Sequence, residues 1–393
     1  MSTTARLAID GGDPVRRKPL PYGRQWVDEE DVAAVAAALR SDWLTTGPRV
    51  AEFEHAFGEA VGVQHAVAVN SGTAALHAAL DALQIGPGDE VVVPALTFAA
   101  TATTVLMQGA RPLFADVDPD TLLLTRSSLE RTLSPATRAV VAVDYAGQPC
   151  DYDALREVCA FRQVYLLADA CHALGARDGD RPVGVLADIT SFSLHPVKHI
   201  TTGEGGVVTT ANAEWAERMR RFRNHGIDVD HRQRGASGDW RYEIGSLGYN
   251  YRLTDVQCAL GISQLSKLER FLRRRREIAS HYDRAFTGIP GVDPLLRRPG
   301  VDHAYHLYVV RVQRDRRRVF QALRAEGIGV NVHYEPVHLH PLFRERCGTS
   351  AGMCPVAERA CEHLLTLPLF PAMQDADVED VIAAMRKVMT LLS

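Results

Sequence analysis

Asp169 and Lys198 stand 29 residues apart; Asp169 directly follows the apolar run Val164 to Ala168, which reads as a β-strand, and Lys198 lies in a turn of small and polar residues after a further expected strand, Ile189 to Ser193. A carboxylate at the carboxyl end of a buried strand lies where open α/β sheets bind ligands, and there it can keep a pyridine nitrogen protonated. A lysine held among apolar neighbours and near a cation gives up its proton more readily, as an amine must before it forms an imine with a carbonyl. The pair therefore suits chemistry in which an aldehyde cofactor is tethered to the lysine. Its positive ring draws electrons from a carbanion formed on the substrate, which is what amino-group transfer requires. Taken alone, Asp169 reads equally well as a loop cap and Lys198 as a solvated charge.

Three further needs of such chemistry have candidates. Asn70-Ser71-Gly72-Thr73-Ala74 lies between an expected strand and helix, so backbone N–H groups there can face a phosphate at the helix start. The Ser193 hydroxyl, five residues before Lys198, is a second phosphate contact. Phe98 can cover one face of a flat ring, and His172, three residues after Asp169, can stack on it or touch a ring oxygen. Each has a plain alternative, respectively an ordinary N-cap, a core aromatic and a satisfied buried histidine.

The elements that would position these residues alternate strand with helix from Glu54 to about Thr210, the signature of a mainly parallel sheet. Strands are expected at His65 to Val69, Val91 to Val93, Pro112 to Ala115, Ala139 to Val143 and Gly206 to Thr210, beside the two already named. The first feeds a helix from Thr73 to Leu83. Beyond Gln264 the pattern changes to a charged helix around Arg270 to Asp283, strands at Val309 to Val312 and Val330 to His333, a helix through Phe320 to Ala325, and a last helix after Asp377. An N-terminal arm over residues 1–20, a large domain over 21–264 and a smaller α+β domain over 265–393 are expected, since one core seldom outgrows about 300 residues. The run Arg273 to Arg276 reads as a solvated or interface face of its helix.

Composition excludes several classes. With 46% hydrophobic and 23% charged residues and a net charge of −4, the chain has an ordinary globular balance and no surplus of cations to hold a nucleic acid. The segment Met1 to Pro21 lacks an apolar signal core, and no run approaches the roughly 20 apolar residues of a membrane span. Seven cysteines without a CxxC pair suit reduced thiols, so a cytoplasmic enzyme is expected.

Taken in order, the motifs resemble the DegT/DnrJ/StrS sugar aminotransferases. The likeness runs from Trp43-Leu44-Thr45-Thr46-Gly47 through Asn70-Ser71-Gly72-Thr73, Thr97-Phe98, Asp169-Ala170-Cys171-His172 and the Lys198 segment, then Gly248-Tyr249-Asn250-Tyr251-Arg252, to Val332-His333-Tyr334. It implies an α/β fold of the pyridoxal-phosphate type I class, whose large domain holds a mainly parallel mixed sheet flanked by helices. It implies pyridoxal 5'-phosphate bound through Lys198, Asp169 on its ring nitrogen, and Gly72, Thr73, Ala74 and Ser193 at its phosphate. Phe98 and His172 would line the ring. L-glutamate and a nucleotide-linked keto sugar would be the substrates. A homodimer with shared active sites is also implied, with Asn250 and Arg252 reaching the neighbouring site and substrate contacts from His195, Glu204, Arg252 and His333. The stretch His195-Pro196-Val197-Lys198 to Glu204-Gly205-Gly206 is especially similar to the branch of pseudaminic acid biosynthesis, which aminates C4 of a UDP-linked N-acetyl sugar. Two departures are His199 with Gly203, and Ala8-Ile9-Asp10-Gly11-Gly12-Asp13-Pro14, which looks more like the aminocyclitol branch; a dTDP-keto sugar or a keto-cyclitol is the alternative substrate.

Rival readings fit less well. A related sugar dehydratase has histidine where this chain has Lys198, a nicotinamide enzyme needs GxGxxG where this chain reads NSGTAA, and a non-catalytic relative on the same fold leaves the Asp169 and Lys198 pair unexplained. No metal is expected, because His333, His338 and His340 with Cys347, Cys354 and Cys361 follow no standard zinc spacing, and cysteines seven apart mark one helix face as easily as a ligand set.

Overall fold

The computed structural model describes residues 6–228, 238 and 240–392; residues 1–5 of the arm lie outside it. Its largest element is a seven-stranded sheet built from β1 (His65–Val69), β2 (Glu90–Pro94), β3 (Arg111–Ala115), β4 (Thr137–Val143), β5 (Tyr165–Asp169), β8 (Ile189–Ser193) and β9 (Gly206–Thr210). Their order across the sheet is β1-β9-β8-β5-β4-β2-β3. Only β9 runs against the others. The strands are buried on both faces, so Val91–Val93 and Ala139–Ala142 appear as unbroken apolar runs rather than as an alternation. Helices α1 (Glu29–Leu39), α2 (Pro48–Val61), α3 (Gly72–Ala82), α4 (Ala99–Met107), α5 (Arg126–Thr132), α6 (Tyr152–Arg162) and α7 (Ala213–Phe222) belong to this part of the chain. This is the large mixed sheet flanked by helices that the sequence implied.

Because six strands are parallel, their carboxyl ends share one edge of the sheet, and the turns after β1, β2, β5 and β8 meet there. Gly206 opens β9 between the ends of β1 and β8, opposite Val69 on one side and Ser193 on the other. A Cβ on Gly206 would lie 2.4 Å from the Ser71 carbonyl oxygen, so only glycine lets the loop before α3 close against the sheet.

Helices α8 (Asp255–Leu265) and α9 (Leu268–Phe286) lead to a second body. There β10 (Val292–Pro294), β12 (Tyr308–Val312) and β13 (Leu364–Leu367) form an antiparallel sheet in the order β10-β12-β13. With it go α10 (Arg316–Ala325), α11 (Pro341–Cys347), α12 (Pro355–His363) and α13 (Asp375–Leu391). A two-residue strand, β11 (Val301–Asp302), pairs with β6 (Arg177–Asp178), which pairs with β7 (Arg181–Pro182). The N-terminal arm packs on this second body. Leu7 and Leu20 join its apolar cluster, and the fully buried Glu326 accepts from Ala8 N at 2.8 Å, Val15 N at 3.0 Å and Lys387 Nζ at 2.8 Å.

Helix α9 is the strut between the two apolar clusters: Leu268, Phe271 and Leu272 belong to the first, and Ile278, Ala279, Tyr282 and Phe286 to the second. Midway between them lies Arg275, fully buried, so the arginine run is not a wholly solvated face as its charge suggested. Two more expectations need correcting. Val330 to His333 is not a strand and makes only an isolated bridge from Asn331 to Thr366. Cys347 ends α11 whereas Cys361 lies on α12, so these cysteines share no helix face.

Candidate active site

Asp169 is the last residue of β5, and its carboxylate is held from two sides. Thr101 Oγ1 on α4 donates to Oδ2 at 2.7 Å, and Cys171 N donates to Oδ1 at 3.2 Å. Thr97 Oγ1 lies 2.7 Å from Thr101 Oγ1 and extends the chain of hydroxyls. Sequence reading missed both threonines, although Thr97 and Thr101 are four apart beside an apolar helix face, a spacing that flags buried polar groups with a task. Behind Asp169 is a second acid, Asp144, just past β4, wholly buried, whose Oδ1 accepts from Cys150 N and Tyr152 Oη, each at 2.9 Å. Burial, reinforced by the neighbouring Asp169 charge, pushes the Asp144 carboxyl up to about 8, so near neutral pH it keeps its proton.

Lys198 lies in the turn after β8, half-buried, with Nζ 3.4 Å from His306 Nε2. Burial pulls its amine down; the nearby Cys171 and Asp169 oppose that, and the Arg275 cation adds to it. His306 in turn faces His172, with ring centroids 4.4 Å apart, and His172 Nε2 meets Tyr334 Oη at 3.1 Å. The Tyr334 ring lies 5.9 Å from that of Phe98, which opens α4 and is exposed. Burial holds the imidazoles of His172 and His306 well below their usual range, hence neutral. Neither His306 nor Tyr334 was assigned a role from sequence; both come from distant segments that approach Lys198 only in the folded chain.

The start of α3 lies against the end of β8. Ser71 caps α3, taking the Ala74 N–H at 3.0 Å, which leaves Gly72 and Thr73 in the first turn, where N–H groups have no intrahelical acceptor. A Cβ on Gly72 would lie 2.9 Å from Ser193 Cβ and 3.3 Å from Cys171 Sγ, so the start of α3, the end of β8 and the turn after Asp169 approach one another closely. Ala74, its N–H taken by Ser71, stands at the start of α3 without a free amide. His172 Nδ1 is buried with no partner among the described residues. An aldehyde cofactor with a ring nitrogen and a phosphate fits this set: Asp169 for the nitrogen, Lys198 for the carbonyl, the α3 start and Ser193 for the phosphate, and His172, Phe98 and Tyr334 about the ring.

The remaining expected residues are more scattered. His333 is buried against Thr366 Oγ1 at 2.9 Å, and its carbonyl accepts from Tyr145 Oη. His195 and Glu204 are exposed at opposite ends of the lysine turn. Asn250 is exposed too, because Tyr249 and Tyr251 turn inward, stacked 5.0 Å apart beside His77, and strand alternation sends the residue between them outward. Arg252 Nη1 donates to Asn224 Oδ1 at 2.8 Å. Among the described residues, no group of three or more His, Cys, Asp or Glu side chains is placed to hold a metal ion, and no helix is long and apolar enough to cross a membrane.

Known proteins share this architecture along nearly the whole chain. The family model for the DegT/DnrJ/EryC1/StrS aminotransferase family matches residues 25–386. The spore coat polysaccharide biosynthesis protein SpsC of Bacillus subtilis is 42% identical over 377 residues, covering 94% of this chain and 97% of SpsC. The structure of a putative sugar aminotransferase, Spr1654 of Streptococcus pneumoniae in its PMP form, aligns with a TM-score of 0.90 at 32% identity, covering 95% of this chain and 100% of that one. Helicobacter pylori PseC, an aminotransferase involved in the biosynthesis of pseudoaminic acid, aligns with a TM-score of 0.88 at 31% identity and the same coverage. On these likenesses the chain is a sugar aminotransferase of the DegT/DnrJ/EryC1/StrS family, with pyridoxal phosphate as its cofactor.

Proposed function

We propose that this enzyme transfers the amino group of L-glutamate to C4 of a 4-keto-6-deoxy nucleotide sugar, with a UDP-linked N-acetyl sugar as the preferred acceptor, and that it works as a cytoplasmic homodimer with shared active sites. The reading is supported by the nearness of Asp169 to Lys198 and by burial, which pulls the lysine amine toward its neutral form beside His306. Pyridoxal phosphate, when bound, supplies the electron sink that makes a carbanion next to nitrogen accessible. Lys198 binds it covalently between turnovers, and Nζ then moves the proton, off the α-carbon of glutamate in the first half-reaction and onto the sugar carbon in the second. Asp169, fixed by Thr101 and the Cys171 amide, keeps the ring nitrogen protonated in both halves. His172, Phe98 and Tyr334 would line the ring of the bound cofactor. Because 2-oxoglutarate leaves before the sugar reacts, ping-pong kinetics follow.

The dimer is supported by the outward turn of Asn250 and by apolar side chains exposed just before it, Trp240 at 79%, Leu247 at 74% and Ile244 at 66%. The C4 assignment rests on the segment from His195 to Gly206, because residues flanking the lysine set which carbonyl lies over the reactive carbon. Displacement by about 1 Å costs roughly a hundredfold in rate, so one enzyme should choose clearly between C3 and C4. The test offers the holoenzyme glutamate with matched 3-keto and 4-keto sugar nucleotides, UDP- and dTDP-linked, and a keto-cyclitol, and locates nitrogen in the product by NMR. Amination at C4 of the UDP sugar is expected. Preference for C3, or turnover only with the cyclitol, would show that the segment packs the lysine turn without selecting the position.

A further inference from the structure

The largest fully buried side chain among the described residues is a cation, Arg275, at the middle of α9. Its hydrogen bonds all go to main-chain carbonyls. Nη1 donates to Tyr305 O at 3.1 Å, His306 O at 3.3 Å and Leu369 O at 3.1 Å, and Nη2 donates to Val197 O at 3.5 Å and Lys198 O at 3.4 Å. Nε is buried with no partner among the described residues. A guanidinium is strongly disfavoured in such surroundings, and burial pulls it down to about 9, which still leaves it charged near neutral pH. A lone strut between three segments does not need a charge, since an amide or hydroxyl could donate to the same carbonyls at lower cost. What distinguishes this position is its neighbours: two of the five acceptors are the carbonyls of Lys198 and the residue before it, and another belongs to His306, whose ring touches the lysine amine.

We propose that Arg275 is the positioning residue of Lys198, fixing the main chain of the lysine turn and of the His306 segment together and placing a positive charge near the amine. The inference rests on the reading that Lys198 carries the cofactor. The groups around the amine are Asp169 and Cys171 at the end of β5, His172 after them, His199 in its own turn, His306 before β12, His333 after α10, and Arg275 on α9. The histidines are neutral through burial, so Arg275 is the positive charge that opposes protonation at Lys198, against the pull of Asp169. With the charge removed, both the free amine and its linkage to the cofactor should hold a proton to higher pH.

The experiment compares holoenzyme with Arg275→Gln, Arg275→Met and Arg275→Lys by three readouts: the pH titration of cofactor absorbance, the rate at which stripped protein recaptures pyridoxal phosphate, and the lysine labelled after borohydride reduction. Either neutral variant should titrate at higher pH than wild type while the label stays on Lys198. Arg275→Lys keeps charge without the fork, so it should titrate within about 0.3 unit of wild type and recapture cofactor at least about fivefold more slowly. Neutral variants that titrate with wild type, or a lysine variant that recaptures at the wild-type rate, would overturn the proposal even if thermal stability fell in all of them. A label on a different lysine would instead overturn the assignment of Lys198, a distinct failure. If neither neutral variant folds, the titration and recapture rate of Arg275→Lys still decide the matter.

Discussion

Replacing Asp144 by asparagine removes a proton-binding group from behind the catalytic acid while leaving its shape unchanged. Asparagine can present its oxygen to Cys150 N and Tyr152 Oη, as Oδ1 does, and its amide nitrogen takes the place of Oδ2, which has no partner among the described residues. In the folded chain, burial first and the Asp169 charge second raise Asp144 from an ordinary 3.8 to about 8. The unfolded chain releases the same proton near 3.8, so the folded state binds more protons throughout that window. Stability from this group is therefore complete below the unfolded value and is lost as pH rises toward 8. Within the window each pH unit costs roughly 1 kcal/mol, and from about pH 5.5 to about pH 7.5 the loss totals about 2–3 kcal/mol. Spread over the unfolding entropy of a chain this size, that is about 3 °C in thermal midpoint. Asparagine has no such slope. Calorimetric scans of wild-type and Asp144→Asn holoenzyme across the range should show midpoints that diverge by about 3 °C toward alkaline pH, with the variant increasingly favoured. Comparing differences between two pH values cancels any fixed cost of the amide. Parallel midpoint curves would refute the reasoning, because they would mean that Asp144 titrates alike in both states.

Lys198→Ala should lose the borohydride-reducible cofactor link and all but a trace of turnover. Mixed with inactive Asn250→Ala it should regain one working site per heterodimer; full subunit exchange without recovered activity would speak against shared sites. Thr101→Val removes the 2.7 Å hydrogen bond to Asp169 Oδ2 and should lower kcat about five- to thirtyfold, the equivalent of about 1–2 kcal/mol, with little change in KM for the sugar. Steady-state kinetics with both substrates varied separates that result from a binding defect.

What was legible in the sequence is what local chain geometry controls. Strands β1, β5 and β8 are short apolar runs that end in Asn70, Asp169 and the lysine turn, and in a parallel sheet strand ends meet whatever the distant packing. The order of those runs therefore points to one edge of the sheet for the acid, the lysine turn and the loop before α3. The Val330 to His333 run misled because β-branched residues suit any extended backbone, and here the partner strand reaches only Asn331.

His306, Tyr334 and Arg275 were harder, since their place depends on how α9 and the second body close over the sheet, and nothing within a window of sequence specifies that. Arg275 nonetheless left a trace. The buried residues of α9, Leu268, Phe271, Leu272, Ile278, Ala279, Tyr282 and Phe286, recur at spacings of three and four, and position 275 falls on the same stripe. Four consecutive arginines cannot all face water on an amphipathic helix, because its period turns one of them inward. A run of like charge thus conceals its member with a buried role, and the apolar phase of the flanking turns identifies which one it is. Here that phase selects the arginine whose fork closes on the carbonyl of Lys198.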